Sequence, residues 1–471
     1  MSLPPAFLAA LELTLPGGGV RRDAAALDAC AADALGQGAR ADAVVVPGST
    51  AEIAAVARLC TAHRVPLVVR GAGTGYTGGA VPTHGGIVLS MERFTRILEI
   101  DEVNLLAVVE PHVITGDLQR AVEGVGLFYP PDPASLDTCS IGGNVAEGAG
   151  GPRAFKYGTT KRYVLALEAV LPTGEVIHTG SKAVKNVVGY DLTQLLVGSE
   201  GTLAIVTRIT LRLVPKPLAQ TTLAACFAST RDAVDAVSGL VARRAVPASI
   251  ELVDGPSLRA VETLLGRAVA PAGAHAMLII ECDGSASAAA EELVGVQEAC
   301  RDAGALDLVV AGSEAEREDV WRVRRQISLA LRATGLFKIN HDVVVPRGRV
   351  PELIECAGEL ARRFRLRVAS FGHAGDGNIH VNLLVPPGDV AALARAREAE
   401  RALFERVVAL EGSISGEHGI GFAKAPHLGI ELAPAEIALM QRVKAAFDPA
   451  GILNPGKIFP LAAAPASGER E

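Results

Sequence analysis

Cysteines are few in this sequence and lie far apart. The seven cysteines stand at positions 30, 60, 139, 226, 282, 300 and 356, and no two of them form a Cys-x-x-Cys pair. Iron–sulfur clusters need grouped cysteine ligands, so we expect the chain to carry none. An odd, scattered set also argues against a disulfide framework and predicts a reducing, cytoplasmic location.

The sequence also lacks a long apolar run, a basic surplus and a signal-peptide pattern. No stretch reaches the roughly 20 apolar residues that a membrane-spanning helix requires. Residues 1–15 show no basic region followed by a cleavage site. The net charge is −7, whereas nucleic-acid binding favours a basic face. We therefore expect no secretory signal, no transmembrane helix and no nucleic-acid partner.

What the chain does have is length and apolar content. It contains 471 residues, of which 49% are hydrophobic and 21% are charged. This composition is typical of a soluble globular protein. A chain of this length exceeds one ordinary hydrophobic core, so we expect two or three domains.

The hydrophobic pattern changes along the chain. Strand-like runs at 43–46 and 66–70 flank a helix that begins near Thr50, which predicts a β-α-β unit. Strands then alternate with glycine-rich loops as far as a proline-bounded linker at 215–217. Beyond it, strands alternate with alanine-rich helices, which predicts a separate α+β layer. A last helix is predicted at 434–446.

A glycine-dense loop at 70–80 (RGAGTGYTGGA) follows the second strand. Without side chains in the way, consecutive backbone N–H groups can face one anion, and a diphosphate suits such a loop. Residues 73–78 also match Gly-x-Gly-x-x-Gly, which requires a helix to open at its last glycine. The next residues, 81–86 (VPTHGG), do not suit an amphipathic helix. We predict a phosphate cradle of another kind, without NAD; a flexible surface loop is the alternative.

Two further segments of small residues suit the same ligand. Residues 131–135 (PDPAS) and 139–151 (CSIGGNVAEGAGG) offer backbone donors that could pack against a flat ring system and its phosphates. An ordinary turn-rich loop is the alternative there. Residues 198–206 (GSEGTLAIV) turn sharply into a strand and fit the same role.

Three of the ten histidines lie in two short glycine-framed stretches, 372–380 (GHAGDGNIH) and 416–421 (GEHGIG). His373, His380 and Glu417 make a set of two imidazoles and one carboxylate, which leaves positions open as a catalytic divalent metal needs. The adjacent His418 is free to move a proton. The alternative is a pair of buried histidines hydrogen-bonded to the backbone.

Six blocks of the chain resemble the D-2-hydroxyacid dehydrogenase branch of the vanillyl-alcohol oxidase/p-cresol methylhydroxylase flavoprotein superfamily. That branch includes FAD-linked D-lactate dehydrogenases, D-2-hydroxyglutarate dehydrogenases and the flavin subunit of glycolate oxidase. The blocks follow the order of the family: RGAGTGYTGGA (70–80), CSIGGNVAEGAGG (139–151), GSEGTLAIV (198–206), GHAGDGNIH (372–380), SGEHGIG (415–421) and FDPAGILNPGK (447–457).

The resemblance implies an α+β fold. It combines a two-subdomain FAD-binding domain of p-cresol methylhydroxylase type with an antiparallel-sheet α+β substrate and cap domain. We predict a helical lead-in at 1–39, the FAD-binding domain at 40–217 and the substrate and cap domain at 218–420. A C-terminal helical segment, predicted at 421–471, returns to the FAD-binding domain.

The same resemblance implies where FAD binds. The loop at 70–80 cradles the diphosphate, and the two further segments line the ribityl chain and isoalloxazine. Some members attach FAD through a histidine of the first loop, where this chain has Tyr76 and Thr77. This implies non-covalent FAD unless an attachment residue lies elsewhere. The implied cofactor-binding residues are Arg70, Gly71, Ala72, Gly73, Thr74, Gly75, Thr77, Gly78, Gly79, Pro131, Asp132, Ser135, Ser140, Gly142, Gly143, Asn144, Ala146, Gly148, Gly151, Glu200, Gly201, Ile205 and Asn454.

The resemblance also assigns roles to the histidine stretches. It implies that His373, His380 and Glu417 bind a divalent cation (Zn, Mn or Fe) beside the flavin, with His418 as catalytic base. A 2-hydroxy acid then chelates the metal, whose Lewis acidity favours loss of the hydroxyl proton to His418. Hydride passes from substrate C2 to flavin N5.

Four residues are implied as substrate contacts. The carboxylate-binding arginine of the family aligns best with Arg324, and Ser328 lies one turn later on the same helix face. Lys338 and Asn382 are the other two candidates. A lysine that recognises the distal carboxylate of D-2-hydroxyglutarate aligns near Asn340, two residues after Lys338, so D-lactate-like substrates are preferred.

The sequence thus predicts an FAD- and metal-dependent dehydrogenase that oxidises a D-2-hydroxy acid, D-lactate-like or D-2-hydroxyglutarate, to the 2-keto acid. The alternative is the glycolate-oxidising flavin subunit of a multi-subunit glycolate oxidase, and a third hypothesis is a flavin-binding protein without turnover. Expected partners are an electron acceptor (electron-transferring flavoprotein, a quinone or an iron–sulfur subunit) and a second copy in a homodimer. Through its acceptor, the cytoplasmic protein could lie against the inner membrane.

Overall fold

The fold is α+β, as the sequence predicts, and a computed structural model describes residues 3–460. Residues 1–2 and 461–471 lie outside the described part, so the predicted segments at 1–39 and 421–471 are each described only in part. Among the helices within 3–460, none combines the length and the apolar character that a membrane crossing requires.

The first sheet has four strands in the order β1-β2-β4-β3. The predicted β-α-β unit is confirmed, although β4 lies between β2 and β3 and pairs in parallel with both. The lead-in is not wholly helical, because β1 pairs antiparallel with β2. The elements are α1 Pro5–Thr14, β1 Val20–Arg21, α2 Ala24–Ala29, β2 Ala43–Val45, α3 Thr50–His63, β3 Leu67–Arg70 and β4 Ile87–Ser90.

A second, antiparallel sheet of five strands follows in the order β5-β6-β10-β8-β9, and β7 pairs with β11 beside it. Its apolar faces pack on α4 and α5 in one core. The elements are β5 Ile97–Asp101, β6 Leu106–Val109, α4 Thr115–Glu123, β7 Leu127–Phe128, α5 Ile141–Glu147, α6 Ala154–Tyr157, β8 Val164–Val170, β9 Val176–Gly180, α7 Leu192–Leu196, β10 Ile205–Arg212 and β11 Val214–Pro215.

The third sheet has seven antiparallel strands in the order β15-β12-β14-β13-β17-β18-β16. Four helices, α8, α10, α12 and α13, pack on one face, and α9 and α11 pack on the other. The strands are β12 Ala219–Phe227, β13 Ser249–Asp254, β14 Ala276–Gly284, β15 Asp307–Val310, β16 Phe337–Val344, β17 Arg367–His373 and β18 Asn378–Val385. The helices are α8 Thr230–Ala242, α9 Gly255–Leu265, α10 Ala286–Asp302, α11 Glu314–Ala333, α12 Val350–Phe364 and α13 Val390–Ala409.

The chain after α13 contacts the first sheet again. Two helices, α14 Leu428–Glu431 and α15 Pro434–Phe447, precede a turn in which Asn454 has a φ of 43°. The Asn454 amide donates to the Leu67 carbonyl over 2.8 Å, and its Oδ1 accepts from the Val69 amide over 3.1 Å. The domain boundaries at 40, 217 and 420 stay predictions.

Candidate active site

A cavity of about 680 Å³ opens between the glycine-rich loops and the face of the seven-stranded sheet that carries α11. Most residues predicted to bind FAD lie on its wall. These are Gly71, Ala72, Gly73, Thr74, Gly75, Gly79, Asp132, Ser135, Ser140, Gly142, Gly143, Asn144, Ala146, Glu200, Gly201 and Asn454.

The first glycine loop presents unused hydrogen-bond donors. Within residues 3–460, no backbone amide of residues 72–76 donates a hydrogen bond to another residue. Gly73 has a φ of 71°, which helps successive amides to point the same way. Five neighbouring N–H groups without partners suit a diphosphate, so the loop fits the predicted cofactor. As predicted, no helix opens at its last glycine.

The segment at 139–151 contains a helix, α5, rather than only turns. Ser140 caps this helix by accepting a hydrogen bond from the Gly143 amide over 3.3 Å. A side chain at Gly142 would meet the Pro111 Cβ at 2.5 Å, so close packing requires glycine there. The two glycines give α5 a low intrinsic helix propensity, and this cap and this contact outweigh it.

Seven residues predicted to bind FAD do not lie on the cavity wall. Ile205 points into the core of the first sheet, whereas its neighbours Ala204 and Val206 face the cavity because successive strand residues alternate. Thr77 instead donates its hydroxyl to the His418 carbonyl over 3.0 Å. The others are Arg70, Gly78, Pro131, Gly148 and Gly151.

Cross-strand register assembles the polar end of the cavity. Glu251 on β13 stands opposite His373 on β17, and His380 on β18 stands between Phe371 on β17 and Asp342 on β16. Directly paired residues share a face of the sheet, so all five side chains belong to the face that carries α11.

The three predicted metal ligands converge. Glu417 Oε1 lies 3.4 Å from His373 Nε2 and 3.7 Å from His380 Nε2. One ligand atom from each residue lies within 4.8 Å of the others. Burial lowers the pKa of His380 well below its usual value, and the charge of His418 lowers it further, so the imidazole is neutral as a ligand must be. Burial would lower the pKa of His373, but the charges of Glu251 and Glu417 raise it well above its usual value. The donor set therefore fits a divalent cation that displaces the proton of His373.

A second set, Asp342, His380 and His418, also brings its ligand atoms within 4.8 Å. Its carboxylate is already engaged, because Asp342 Oδ2 accepts from the amides of residues 416, 417 and 418 over 2.9–3.0 Å. Burial would raise the pKa of Asp342, but the charges of His418 and Lys424 hold it well below its usual value. Asp342 thus fixes the 416–418 loop, a role that the sequence analysis missed.

Glu251 is the other residue that the sequence analysis missed. It is fully buried, accepts from His373 Nδ1 over 2.5 Å through Oε1 and accepts from Arg324 Nε through Oε2. Burial alone would raise the pKa of Glu251, yet the charges of His373 and Arg324 hold it at about 2. Its one sequence signal is an acid between the apolar residues Ile250 and Leu252.

His418 lies between two rings. Its imidazole stacks on His380 with centroids 5.3 Å apart and on Tyr76 at the same distance. Its main-chain amide is one of the three held by Asp342. The loop and the two rings together fix the orientation of the imidazole at the cavity wall.

Three of the four predicted substrate contacts lie on the wall: Arg324, Ser328 and Lys338. Lys338 Nζ donates to Ser328 Oγ over 3.1 Å. Burial, and then the charge of Arg332, lower the pKa of Lys338 to about 8. Asn382 is absent from the wall. It is fully buried two residues beyond His380, and its amide donates to the carbonyls of Ala369 and His380.

Two family models match the chain: "FAD linked oxidases, C-terminal domain" over residues 216–458 and "FAD binding domain" over residues 41–180. The glycolate oxidase subunit GlcD of Bacillus subtilis (strain 168) is 42% identical over 89% of this chain and 89% of its own length. A D-lactate dehydrogenase of Anaerostipes hadrus is 36% identical over 89% of this chain and 90% of its own. The D-2-hydroxyglutarate dehydrogenase of Stutzerimonas stutzeri (strain A1501) is 35% identical over 97% of this chain and 99% of its own.

Solved structures show the same fold. The p-cresol methylhydroxylase structure with bound substrate has a TM-score of 0.78 at 17% identity, covering 97% of this chain and 96% of that one. An alkyldihydroxyacetonephosphate synthase has a TM-score of 0.76 at 17% identity, covering 96% of this chain and 85% of that one. The resemblance predicted from the six blocks is therefore confirmed. The chain belongs to the FAD-linked oxidases and is an FAD-dependent oxidoreductase of the group of D-lactate dehydrogenases, D-2-hydroxyglutarate dehydrogenases and glycolate oxidase subunits.

Proposed function

We propose that the protein is a divalent-metal-dependent FAD dehydrogenase that oxidises a D-2-hydroxy acid to the 2-keto acid. The observation that carries the proposal is the convergence of His373, His380 and Glu417 beside His418, in the same cavity as the unbonded amides of residues 72–76. Two imidazoles and a carboxylate suit Zn²⁺, Mn²⁺ or Fe²⁺. The cavity-wall residues predicted from the sequence would hold FAD without a covalent bond.

When bound, FAD would supply the hydride acceptor, and a cation held by His373, His380 and Glu417 would supply a Lewis acid for a chelating hydroxy acid. Arg324 is suited to bind the substrate carboxylate. Only its Nε is engaged within the described residues, by Glu251, so its two terminal amino groups are available for a fork of hydrogen bonds. Holding the carboxylate there orients substrate C2.

His418 is suited to remove the hydroxyl proton. It stands beside Glu417, with His418 Nε2 3.9 Å from Glu417 Oε1, so a hydroxyl held at the metal ligands lies next to its ring. The stack with Tyr76 and His380 limits rotation of the imidazole. A general base held in one orientation needs no reorganisation when the proton moves.

Small D-lactate-like acids are our first choice of substrate, and D-2-hydroxyglutarate is the second. The second choice is supported by Lys338, which lies on the cavity wall and forms no ion pair with a carboxylate of the described chain. A distal substrate carboxylate would supply the missing anion. Asn382 is not part of this proposal, because its side chain is engaged by backbone groups.

Anaerobic flavin reduction tests the reaction. The metal-loaded protein should lose its oxidised-flavin absorbance when mixed with a D-2-hydroxy acid and should respond at least tenfold more slowly to the L-enantiomer. Reduction by L-lactate alone would exclude the stereochemical assignment. Absence of bleaching with every member of a panel of D- and L-hydroxy acids would favour a flavin-binding protein without turnover.

A second candidate function is the glycolate-oxidising flavin subunit of a larger complex. The relative that is 42% identical is named a glycolate oxidase subunit, and the cysteines of this chain are too scattered to ligate an iron–sulfur cluster. Co-purification of an iron–sulfur subunit, with glycolate reducing the flavin faster than D-lactate, would favour this function. In either case we propose a cytoplasmic protein that passes electrons to a separate acceptor.

A further inference from the structure

Glu147 lies at the end of α5, and its carboxyl group forms no hydrogen bond with residues 3–460. It lies on the wall of the cofactor cavity, and its Oε2 is buried and unpaired within the described residues. Buried polar groups in proteins almost always have a partner. The side chain as a whole is only partly buried, so its other oxygen, Oε1, is left for a partner on the ligand.

Glycines from two distant segments enclose this carboxyl. A side chain at Gly79, in the first glycine loop, would meet Glu147 Oε1 at 2.7 Å, and one at Gly419 would meet Glu147 Oε2 at 2.3 Å. Gly419 directly follows His418, so Glu147 stands at the end of the cavity where the hydroxy acid and the flavin ring must meet. Glu147 therefore lies between the first glycine loop and the loop that carries His418.

A neighbouring carboxyl decides which of the two acids carries a proton. Glu200 also borders Gly419, and it accepts hydrogen bonds from the amides of Ile420 over 2.7 Å and Gly421 over 2.6 Å. Burial raises the pKa of Glu200, but these two donors oppose that rise, whereas Glu147 has no such donor. Two adjacent carboxyl groups do not both ionise readily. The amide donors favour the negative charge on Glu200, so the proton stays on Glu147.

The other charges around Glu147 also favour its protonated form. Burial raises the pKa of Glu147 well above its usual value, the charges of Glu200 and Asp33 raise it further, and Lys457 opposes them. The Lys457 ammonium is already engaged, because it donates to the carbonyls of Gly78 over 2.7 Å and Val81 over 2.6 Å.

We propose that Glu147 is a cofactor-contacting residue whose neutral carboxyl donates a hydrogen bond to an acceptor atom of the flavin ring. Reduction of the flavin adds negative charge to the ring, and a neutral donor stabilises that charge without repelling it. Glu147 therefore makes the flavin easier to reduce. This inference rests on the proposed position of the flavin ring beside His418 and not on the identity of the substrate.

Two substitutions of Glu147 distinguish a neutral hydrogen-bond donor from an ionised carboxylate. Glu147→Gln keeps the size and a donor group. The FAD dissociation constant should therefore stay within about twofold of wild type, and the flavin midpoint potential should shift by no more than a twofold change in the equilibrium constant for reduction. Glu147→Leu removes the donor, so the potential should become more negative and FAD should bind about tenfold more weakly. Glu400→Gln changes a carboxyl outside the cavity wall and should leave both quantities unchanged.

The midpoint potentials of these variants test the proposal without any substrate. An unchanged potential in Glu147→Leu, or a positive shift in Glu147→Gln, would overturn the proposal, because the first excludes a contact and the second indicates an ionised carboxylate. If Glu147→Leu does not retain FAD, infrared difference spectra of wild type and Glu147→Gln give the answer. A protonated-carboxyl band that shifts on flavin reduction in wild type and is missing in Glu147→Gln supports the proposal; the absence of that band in wild type refutes it.

Discussion

The imidazole of His373 donates from Nδ1 to Oε1 of the buried Glu251 over a distance of 2.5 Å. This bond orients the opposite nitrogen, Nε2, toward Glu417. The second oxygen of the same carboxylate holds Arg324. One buried acid thus fixes both a proposed metal ligand and the proposed substrate-binding arginine, and it links the two halves of the proposed chemistry.

Replacing Glu251 with Gln should weaken metal binding and substrate binding together. The amide has one accepting oxygen where the carboxylate has two, for His373 Nδ1 and Arg324 Nε, so we expect divalent-metal affinity to fall roughly 10- to 100-fold and KM for the hydroxy acid to rise. Metal titration by calorimetry and steady-state kinetics measure the two effects. Glu400→Gln is the matched control, and a Glu251→Gln protein with wild-type metal affinity would show that Glu251 does not orient His373.

His418→Ala should abolish flavin reduction while sparing the cofactors. Loss of a general base costs about 10²- to 10⁴-fold in rate, whereas the predicted metal ligands and the glycine loop are untouched. Stopped-flow flavin reduction, with metal and FAD contents measured in parallel, checks this. His178→Ala, at an exposed histidine, serves as the control. Reduction within threefold of the wild-type rate would remove His418 from the mechanism.

His380→Ala should lose metal and activity together and should still bind FAD. One of three ligands is removed, and its neighbour Asp342 is held by three backbone amides and is not free to replace it. Elemental analysis after dialysis, together with the flavin absorbance of the purified protein, separates the two cofactors. A variant that keeps stoichiometric metal would favour the alternative set of buried structural histidines.

Lys338 gives the proposed site a pH dependence that varies with the substrate. Its pKa is lowered to about 8, so its charge is present below that pH and is lost as the pH rises through it. For a dicarboxylic hydroxy acid, kcat/KM should therefore fall above about pH 8, with a smaller fall for D-lactate. Lys338→Met should remove the difference between the two substrates, and the exposed Lys161→Met should not. Identical profiles for both substrates in wild type would exclude an anion contact by Lys338.

Elements with strong local patterns could be predicted from the sequence. The helix predicted at 434–446 matches α15 to within one residue, because a proline at its first position and the Asp448-Pro449 pair after its end are local signals for helix ends. The side chain of Ile205, a predicted cofactor contact, lies in a core and not on the cavity wall, a placement that depends on the register of β10, which the motif does not reveal. The segment containing α5 was left open, because its cap and its contact with Pro111 depend on tertiary packing.

Part of the site depends on pairing between strands that are far apart in the sequence. Glu251 and His373 stand opposite each other in the sheet, but 122 positions separate them in the chain, and no local pattern joins them. Asp342 meets the 416–418 loop in the same way. The proposed ligand triad could be predicted because its residues lie in glycine-framed blocks, whereas the acids that contact it lie in ordinary apolar strands.

The most direct test of the proposed chemistry is anaerobic flavin reduction by one D-2-hydroxy acid in two preparations that contain equal FAD. One preparation is loaded with Zn²⁺ or Mn²⁺, and the other is stripped of metal by a chelator and then dialysed. We predict rapid reduction in the loaded protein, at least 100-fold slower reduction in the stripped protein, and recovery when the metal is added back. Equal rates in the two preparations would contradict the metal-dependent mechanism.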